Sequence, residues 1–386
     1  MNIHRFIKFY LSPILVLGLI YFVWAANVLS FTKDIESTEN RKFAEKPQLN
    51  INNLDGFPKK YEKYYNDNFP MRNYLIQGYN NSIINYLGRS PLPEFVIFGK
   101  GDWMYYGEKH IKVYRGTEHY SKNEIEEIKK ELLYRYEYLK KRGIKYYFVV
   151  LPTKYTIYPE FIPDNVTRLY NKTITDQLLE AFNGNAPFRL IDTRQALLDA
   201  KKHNVRLFQK TDAHWNSAGA FFAYQKISEY LTKDFPDKIE TRKFEDYSVD
   251  SLWEKGGDLT KLLGTYEKSK EMQIYLRENF KSEVYRGKES GYDPKGFAAK
   301  DDYEIVCINP KQKNKLKGLV IRDSFTGFMV QFLQEDFYKS TYIFDRWEYG
   351  LNEEIVENEK PDVFINIVVE CHLKNLLAHL SYKNAK

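Results

Sequence analysis

The sequence is poor in cysteine, with only Cys307 and Cys371 in 386 residues. Small exported scaffolds that are held together by disulfides need many more cysteines, so that class of protein is excluded. The spacing of the two residues leaves open whether they pair, and two buried free thiols are the alternative, since both stand in apolar runs. With 43% hydrophobic residues, the chain can instead bury a large core.

Motifs for metals and nucleic acids are also lacking. No HExxH sequence and no paired-cysteine spacing occurs. Side chains that can bind metals are present at scattered positions: His110, His119, Glu160, Asp212, His214 and His372. We therefore predict no metal and no other cofactor. The formal net charge is only +6 and the basic residues are scattered among acids, which argues against nucleic acid as a partner.

Charge is absent from residues 9–32, most of which are apolar. Because about 20 apolar residues suffice to cross a bilayer, residues 1–32 are predicted to form a short cytoplasmic tail and a transmembrane signal-anchor. Basic residues precede this segment, and by the positive-inside rule the remainder of the chain then lies outside the cytoplasm. A cleaved secretory signal, cut after Ala25 and Ala26, is the alternative.

Residues 33–95 are predicted to form a stalk, polar and aperiodic over residues 33–53, and then a helical segment. Beyond them, helical patterns alternate with continuous apolar runs such as KYYFVVL, GLVIRD and VFINIVV. One helix has a clear start, where Ser121 and Glu124 form a capping box. The alternation predicts an α/β fold over residues 96–386, a three-layer sandwich around a central, mostly parallel sheet.

A serine stands where one predicted strand gives way to a helical pattern. GLVIRDSFTGFMVQFL places Asp323 and Ser324 directly after apolar residues. Sites in such sheets form outside the carboxyl ends of the strands. A serine hydroxyl at this turn is exposed, and the first amides of the helix can stabilise an oxyanion. The alternative is a helix N-cap, because Asp and Ser are both favoured there.

The stretch TDAHWNSAGA, residues 211–220, supplies the partners that a serine nucleophile needs. A serine hydroxyl becomes a nucleophile when a base accepts its proton, and the base needs a third group that fixes its tautomer. Asp212 can hold Nδ1–H of His214 and leave Nε2 for Ser324. Trp215 would shield the pair from water.

Together, the two stretches resemble the SGNH-hydrolase-like proteins of the alginate O-acetyltransferase type, a family related to GDSL esterases. DAHW at 212–215 matches the Asp-x-His-Trp motif of that family. RDSF at 322–325 matches its Gly-Asp-Ser-Phe motif, with Arg322 in place of the glycine. Shorter matches occur in the order of the family: ENRKFAEKP at 39–47, DNFPMR at 67–72, FGKGDWMYY at 98–106, PTKYTIYPEFIP at 152–163, GGDLTKLLG at 256–264 and PDVFINIVVE at 361–370.

The resemblance implies acyl transfer outside the cytoplasm. A membrane-bound O-acyltransferase would supply the acyl group, usually acetyl, and this chain would place it on a hydroxyl of a cell-surface or secreted polysaccharide. Ser324 would carry the acyl group, His214 would act as general base and Asp212 would orient it. The Ser324 amide would be one oxyanion donor.

Further side chains are expected to contact the substrate: Lys154, Tyr155, Trp215, Arg322, Arg346 and Trp347. Lys154 and Tyr155 are candidates for the second oxyanion donor, and Arg346 and Trp347 for contacts with carbohydrate or, alternatively, for ordinary surface positions. Two other functions stay open, a carbohydrate esterase with the same triad and a non-catalytic polysaccharide-binding scaffold of an export or acylation complex.

Overall fold

The computed structural model describes residues 3–28, 42–49, 54–69, 71–292, 303–313 and 315–383. Residues 29–32 of the predicted anchor lie outside these ranges, as do residues 33–41 and 50–53 of the predicted stalk. The chain folds into two compact units, one made of Met1–Leu92 with Thr260–Lys268 and the other of Pro93–Leu259 with Ser269–Lys386.

The α-helices, α1 to α12 in chain order, are Ile3–Val28, Phe57–Asp67, Arg72–Leu87, Glu108–Arg115, Lys122–Lys140, Lys154–Ile157, Ile174–Ala181, Arg194–Ala200, Ser217–Asp234, Asp258–Leu262, Val330–Leu333 and Glu353–Glu359. The strands, β1 to β11, are Val96–Phe98, Met104–Tyr106, Lys145–Leu151, Arg189–Asp192, Tyr247–Lys255, Lys270–Glu278, Tyr285–Arg286, Glu304–Ile308, Lys317–Arg322, Lys339–Phe344 and Val363–Val369. Two of the 3-10 helices matter below, Ser324–Met329 and Glu370–Ala378.

The stretch predicted as a membrane anchor is helical, since α1 covers most of it. Judged on the side chains that the structure describes, however, no helix has a stretch long and apolar enough to cross a membrane. The transmembrane anchor predicted from the sequence is therefore not found.

In the first unit, polar side chains hold segments together through main-chain groups. Asn80 on α3 donates a hydrogen bond from Nδ2 to the carbonyl of Leu263, at 2.9 Å. Asp67, the last residue of α2, accepts the amide of Ala44 at 2.8 Å. Buried side chains of this kind replace the water that the main-chain groups lose on folding.

The second unit is built around a seven-stranded sheet in the order β4-β3-β11-β9-β10-β8-β7. Neighbours from β4 to β10 are parallel, whereas β8 runs antiparallel to both β10 and β7. The sheet is therefore mixed, which corrects the mostly parallel sheet predicted from the sequence. Residues 309–316 join β8 to β9. They are fewer than the dozen or so residues that a crossover between parallel strands needs, which explains why β8 and β9 run in opposite directions.

The continuous apolar runs of the sequence form the buried strands at the centre of the sheet. β11, VFINIVV, is buried along its whole length, so the sheet is covered on both faces at this strand. The parallel strands β3, β9 and β11 point their carboxyl ends to one edge. The chain leaves β9 into Asp323 and Ser324 at that edge, which is where ligands bind in sheets of this class.

Helix α9 follows the TDAHW stretch directly. Asn216 caps it, because its side-chain oxygen accepts hydrogen bonds from the amides of Ala218 and Gly219. Gly219 permits a close approach of the chain, since a Cβ atom at this position would lie 2.3 Å from the carbonyl oxygen of Leu207. Helix α9 and the 3-10 helix Ser324–Met329 pack against each other, so two distant stretches of sequence meet.

Candidate active site

Asp212, His214 and Ser324 form one chain of hydrogen bonds. His214 Nε2 lies 2.8 Å from Ser324 Oγ, and His214 Nδ1 lies 2.6 Å from Asp212 Oδ1. An ionised carboxylate only accepts hydrogen bonds, so in the neutral imidazole Nδ1 carries the proton and Nε2 is free to accept from the serine hydroxyl. Ser324 itself is exposed at the surface. The structure thus joins the three residues singled out in the sequence, with a hydroxyl that solutes can reach.

The carboxylate of Asp323 holds the turn that carries the serine. Its Oδ1 accepts the amide of Phe325 at 2.9 Å, which makes Asp323 the N-cap of the 3-10 helix. Its Oδ2 accepts the amide of Val369 at 3.0 Å and the hydroxyl of Tyr349 at 2.9 Å. Burial raises the pKa of Asp323, and these hydrogen bonds oppose that rise. Capping therefore falls to Asp323 and leaves the Ser324 hydroxyl to His214.

Trp215 joins the stretch that carries His214 to the stretch that carries Ser324. Its ring is fully buried, and its Nε1 donates a hydrogen bond to the carbonyl of Phe325 at 2.7 Å. The rings of His214 and Phe325 also lie against each other, with centroids 4.8 Å apart. These contacts fix the distance between the imidazole and the serine turn.

The loop before Asp212 is held from below by Lys154. This buried ammonium donates hydrogen bonds to the main-chain carbonyls of Met104, Lys210 and Asp212, the first two at 2.7 and 3.2 Å. Burial lowers the pKa of Lys154 to about 8, although nearby carboxylates favour the charged form. Three carbonyl acceptors match the three protons of an ammonium group, which is how the charge is accommodated.

Glu271 on β6 supports the same loop from the other side. Its side chain is 1% exposed and accepts the amides of Lys210 and Thr211, at 3.1 and 2.7 Å, and the hydroxyl of Thr211 at 2.7 Å. Arg206 balances its charge, with Nη2 at 2.8 Å from the carboxylate. The main chain leading to Asp212 is thereby fixed by buried charges of both signs.

A second carboxylate, Asp258, lies beside the Asp212–His214 pair, with Oδ2 at 3.6 Å from His214 Nδ1. Burial would lower the pKa of the His214 imidazole, but the charges of Asp212 and Asp258 outweigh it and raise the pKa to about 9. Burial likewise opposes ionisation of Asp212, yet the neighbouring imidazolium holds the pKa of Asp212 well below its usual value. For Asp258, burial and the charge of Asp212 raise the pKa to about 6.

Ligand atoms of Asp212, His214 and Asp258 lie within 4.8 Å of one another, and within the described ranges this is the group whose spacing suits a metal ion. The atoms are already engaged, however. Nδ1 of His214 donates to Asp212, and Oδ1 of Asp258 accepts the amide of Ala213 at 2.8 Å. The hydrogen bonds account for the cluster, and we assign no metal to it.

Comparison with protein families gives a match over residues 96–307, more than half of the chain, to the family described as "SGNH hydrolase-like domain, acetyltransferase AlgX". This chain belongs to the AlgX family. The α/β fold described above is therefore that of an SGNH hydrolase-like domain, as the resemblance in the sequence implied, and the match ends before Ser324.

One relative of this AlgX-family chain is named "Probable alginate O-acetylase AlgJ" and comes from Pseudomonas syringae pv. tomato. It is 28% identical over 210 residues, which are 53% of this chain and 50% of the relative, so the match spans about half the length of that protein.

Two solved structures of PatB1 from Bacillus cereus share the fold at 18% identity. One has a TM-score of 0.51 and covers 72% of this chain and 96% of PatB1. The other, which carries a sulfonyl adduct, has a TM-score of 0.52 and covers 72% and 97%.

The AlgX-family chain buries most of the residues that were predicted to contact substrate. Those exposed by 4% or less are Lys154, Tyr155, Trp215 and Arg322. A buried side chain offers no surface to a polysaccharide, so burial argues against direct contact with the substrate at these four positions. Lys154 donates to main-chain carbonyls rather than to an oxyanion, and Arg322 packs over the ring of Phe344 and donates to the carbonyl of Asp323.

Arg346 and Trp347 lie in the loop after β10, and both have positive φ angles, 60° and 64°. Non-glycine residues in this conformation are strained and concentrate at functional sites. Trp347 is 40% exposed and its ring lies 5.8 Å from that of His372. Contact of these two residues with carbohydrate stays a prediction.

Three residues near the site were not singled out for it from the sequence. Asp258 stands in GGDLTKLLG, where a glycine pair before an acid was the available signal. Tyr349 donates to Asp323, and its hydroxyl lies 3.0 Å from Nδ1 of His372. Burial lowers the pKa of His372 to about 3, so this imidazole is neutral. No local pattern marks Tyr349, because its partners are 23 and 26 residues away.

Proposed function

We propose that this chain is an O-acyltransferase that carries an acyl group on Ser324 and passes it to a hydroxyl of a polysaccharide. The observation that carries the proposal is the chain of hydrogen bonds from Asp212 through His214 to the exposed hydroxyl of Ser324. Membership of the AlgX family supports acetyl as the acyl group.

In the first half of the reaction, Ser324 Oγ attacks the carbonyl carbon of the acyl donor while His214 Nε2 accepts the hydroxyl proton. The intermediate then collapses, and the leaving group departs with that proton. In the second half, a sugar hydroxyl attacks the acyl-serine and gives its proton to His214, which returns it to Ser324 Oγ. Asp212 keeps the imidazole in the required tautomer and stabilises its charged form.

The oxyanion of each intermediate needs hydrogen-bond donors near Ser324. The Ser324 amide is at the first position of the 3-10 helix, where main-chain N–H groups have no acceptor within the helix. We assign it as one donor. A preorganised donor of this kind contributes about 3 kcal/mol to the stability of the transition state.

The acceptor in this proposal is a cell-surface or secreted polysaccharide, and the acyl donor is a membrane-bound O-acyltransferase, so the reaction takes place outside the cytoplasm. The name of the Pseudomonas syringae relative, an alginate O-acetylase, makes alginate the first acceptor to test. The supporting chemical feature is that the proposed nucleophile is exposed, since a polymer cannot enter a closed pocket.

The test is intact-protein mass spectrometry with peptide mapping after exposure of the full chain to p-nitrophenyl acetate. We expect one acetyl group on Ser324 in the wild type, and none in Ser324→Ala or His214→Ala. Ser251→Ala, which removes an exposed serine from β5, is the matched control and should behave as the wild type does. Alginate oligosaccharides added to the acetylated protein should remove the acetyl group and gain its mass.

Released acetate has to be followed in the same samples. Rapid, Ser324-dependent release of acetate to water, without transfer to any oligosaccharide, would replace the transferase by the esterase. Absence of both adduct and Ser324-dependent product would overturn the catalytic proposal and favour a polysaccharide-binding scaffold.

A further inference from the structure

Asp258 is held in a defined position relative to Asp212 and His214. Its amide donates a hydrogen bond to Asp212 Oδ2 at 2.9 Å, and its Oδ1 accepts the amide of Ala213 at 2.8 Å. Its Oδ2 is thereby directed to the Nδ1 side of His214, at 3.6 Å. Asp258 contacts both members of the pair without belonging to the chain of hydrogen bonds that ends at Ser324.

The segment before Asp258 packs unusually close to the loop that carries Asp212. The amide of Gly257 donates to Thr211 Oγ1 at 2.8 Å, and the amide of Leu259 donates to the carbonyl of Thr211 at 3.2 Å. A Cβ atom on Gly257 would lie 2.4 Å from Cβ of Asp212, so any other residue would push the two segments apart. The position of Asp258 is therefore a product of the fold and not of a free surface loop.

We propose that Asp258 is a second positioning carboxylate, which together with Asp212 places two negative charges against the Nδ1 edge of His214 and sets the pH range in which His214 can take the proton of Ser324. The effect of Asp258 on the titration of His214 is argued from the positions of the two carboxylates. Its effect on the pH dependence of catalysis also rests on the proposed acyl transfer.

The negative groups that face His214 come from three segments. Asp212 and Asp258 approach Nδ1, and Asp323 adds its charge from the end of β9. Asp212 accepts a hydrogen bond from Nδ1–H of His214, whereas Asp258 acts through its charge at the longer distance. Removing the Asp258 charge should therefore make the imidazolium less stable while the hydrogen bond to Asp212 persists.

The other titratable groups around Asp258 and His214 do not replace this charge. The Lys154 ammonium favours the ionised form of Asp258. The phenol of Tyr106 is neutral, because burial raises its pKa to about 12. His110 and His372 are neutral imidazoles, since burial lowers the pKa of each. Lys154, with a pKa of about 8, is the neighbouring group that changes charge in the same range, and it is common to the wild type and Asp258→Asn.

Together, the carboxylates of Asp212 and Asp258 have two effects on the proposed reaction, one favourable and one unfavourable. They stabilise the imidazolium that forms when His214 takes the serine proton, and they raise the pH at which His214 becomes neutral and able to act as a base. Asp258→Asn removes the charge and keeps an oxygen for the amide of Ala213. Since unit charges about 4 Å apart shift a pKa by roughly one unit even in water, we expect His214 to titrate about one pH unit lower.

The direct test is an NMR titration of the His214 ring with isotope-labelled histidine. The signal is assigned among the seven histidines by its loss in His214→Gln. Asp258→Asn should titrate about one unit below the wild type, and Asp250→Asn, which removes a carboxylate paired with Arg277, should match the wild type. Identical titration of His214 in Asp258→Asn and the wild type would refute the proposal.

A second comparison tests the proposal if the Asp258→Asn protein does not fold. In Asp212→Asn, Asp258 alone should still hold the His214 titration well above that of His372, a buried imidazole whose pKa is lowered by burial to about 3. A titration as low as that of His372 in a folded Asp212→Asn protein would also overturn the role of Asp258.

The kinetic test measures the rate of acetylation by p-nitrophenyl acetate against pH. In Asp258→Asn, the rise of the rate with pH should move about one unit to lower pH, and the plateau should fall a few-fold because a weaker base accepts the proton. An unshifted profile, with a Ser324-dependent reaction in the wild type, counts against Asp258 alone. A reaction that persists in Ser324→Ala counts against the proposed function, and the NMR titration still decides the role of Asp258.

Discussion

Replacing Trp215 by phenylalanine tests whether the indole N–H holds the two halves of the site together. Trp215 is fully buried, donates to the carbonyl of Phe325 at 2.7 Å and packs between Phe208 and Phe325. Trp215→Phe keeps an aromatic ring in this place. It removes the donor and the volume of the second ring.

The expected cost follows from two parts. The buried carbonyl of Phe325 loses its partner, which costs about 1–3 kcal/mol. The missing ring volume, roughly 40 Å³, adds about 1 kcal/mol at the usual cost per unit of cavity volume. Trp215→Phe should therefore lower the free energy of unfolding by about 2–4 kcal/mol. Because the Phe325 carbonyl follows the nucleophile directly, acetylation of Ser324 should also slow by at least about tenfold.

Urea denaturation followed by far-ultraviolet circular dichroism measures the first effect without relying on tryptophan fluorescence. The matched control is Trp253→Phe on β5, where the ring is 70% exposed and the change should stay within about 0.5 kcal/mol. Equal stability of Trp215→Phe and Trp253→Phe would refute the reasoning. So would a normal acetylation rate in a destabilised Trp215→Phe protein, since the indole would then support the core but not the site.

Three further changes probe the groups beneath the site. Lys154→Met removes the ammonium donor from the carbonyls of Met104 and Asp212, while the carbonyl of Lys210 keeps the amide of Met104, and should cost about 2–4 kcal/mol in urea denaturation; a loss below about 0.5 kcal/mol would contradict this role of Lys154. Tyr349→Phe removes a hydrogen bond to the buried Asp323 carboxylate and should cost about 2 kcal/mol by the same measurement, with slower acetylation; unchanged values of both would contradict its support of the turn. His214 binds its proton up to about pH 9 when folded but only to about 6.5 when unfolded, so its contribution is full below pH 6.5 and disappears as the pH rises through 9. The wild type should thus lose up to about 3 kcal/mol more than His214→Gln between pH 6.5 and 9.5, and parallel pH profiles would argue against the raised pKa.

The sequence predicted those parts of the molecule whose information is local. Apolar runs such as VFINIVV became buried strands, and the capping box of Ser121 and Glu124 formed as expected. Asp212, His214 and Ser324 could be singled out because each stands in a short motif. Asp212 and His214 are two residues apart, and Ser324 lies at the turn between a strand and a helical pattern. The sheet was predicted to be mostly parallel and is mixed, since the direction of β8 depends on which strand it meets and not on its own residues.

Burial of polar and aromatic side chains was the harder prediction. Lys154 was expected near the oxyanion because it lies on the loop after the strand FVVL, but its ammonium group donates to carbonyls from two segments of the chain, at Met104 and at Lys210 with Asp212. The sequence did not mark Asp258 as part of the site, because its neighbour Asp212 is 46 residues away in the sequence. Such contacts exist only after the fold has formed, and no periodicity in the sequence predicts them.

The hydrogen bonds around Asp323 also have a consequence for folding. The serine turn is complete only when the amide of Val369, 46 residues downstream, and the imidazole of His214, 110 residues upstream, have both arrived. Contacts so distant in sequence close late, because the entropy of closing the intervening loops must first be overcome. Reactivity of Ser324 during refolding should therefore appear with the last kinetic phase, which makes acetylation a reporter of the fully assembled sheet.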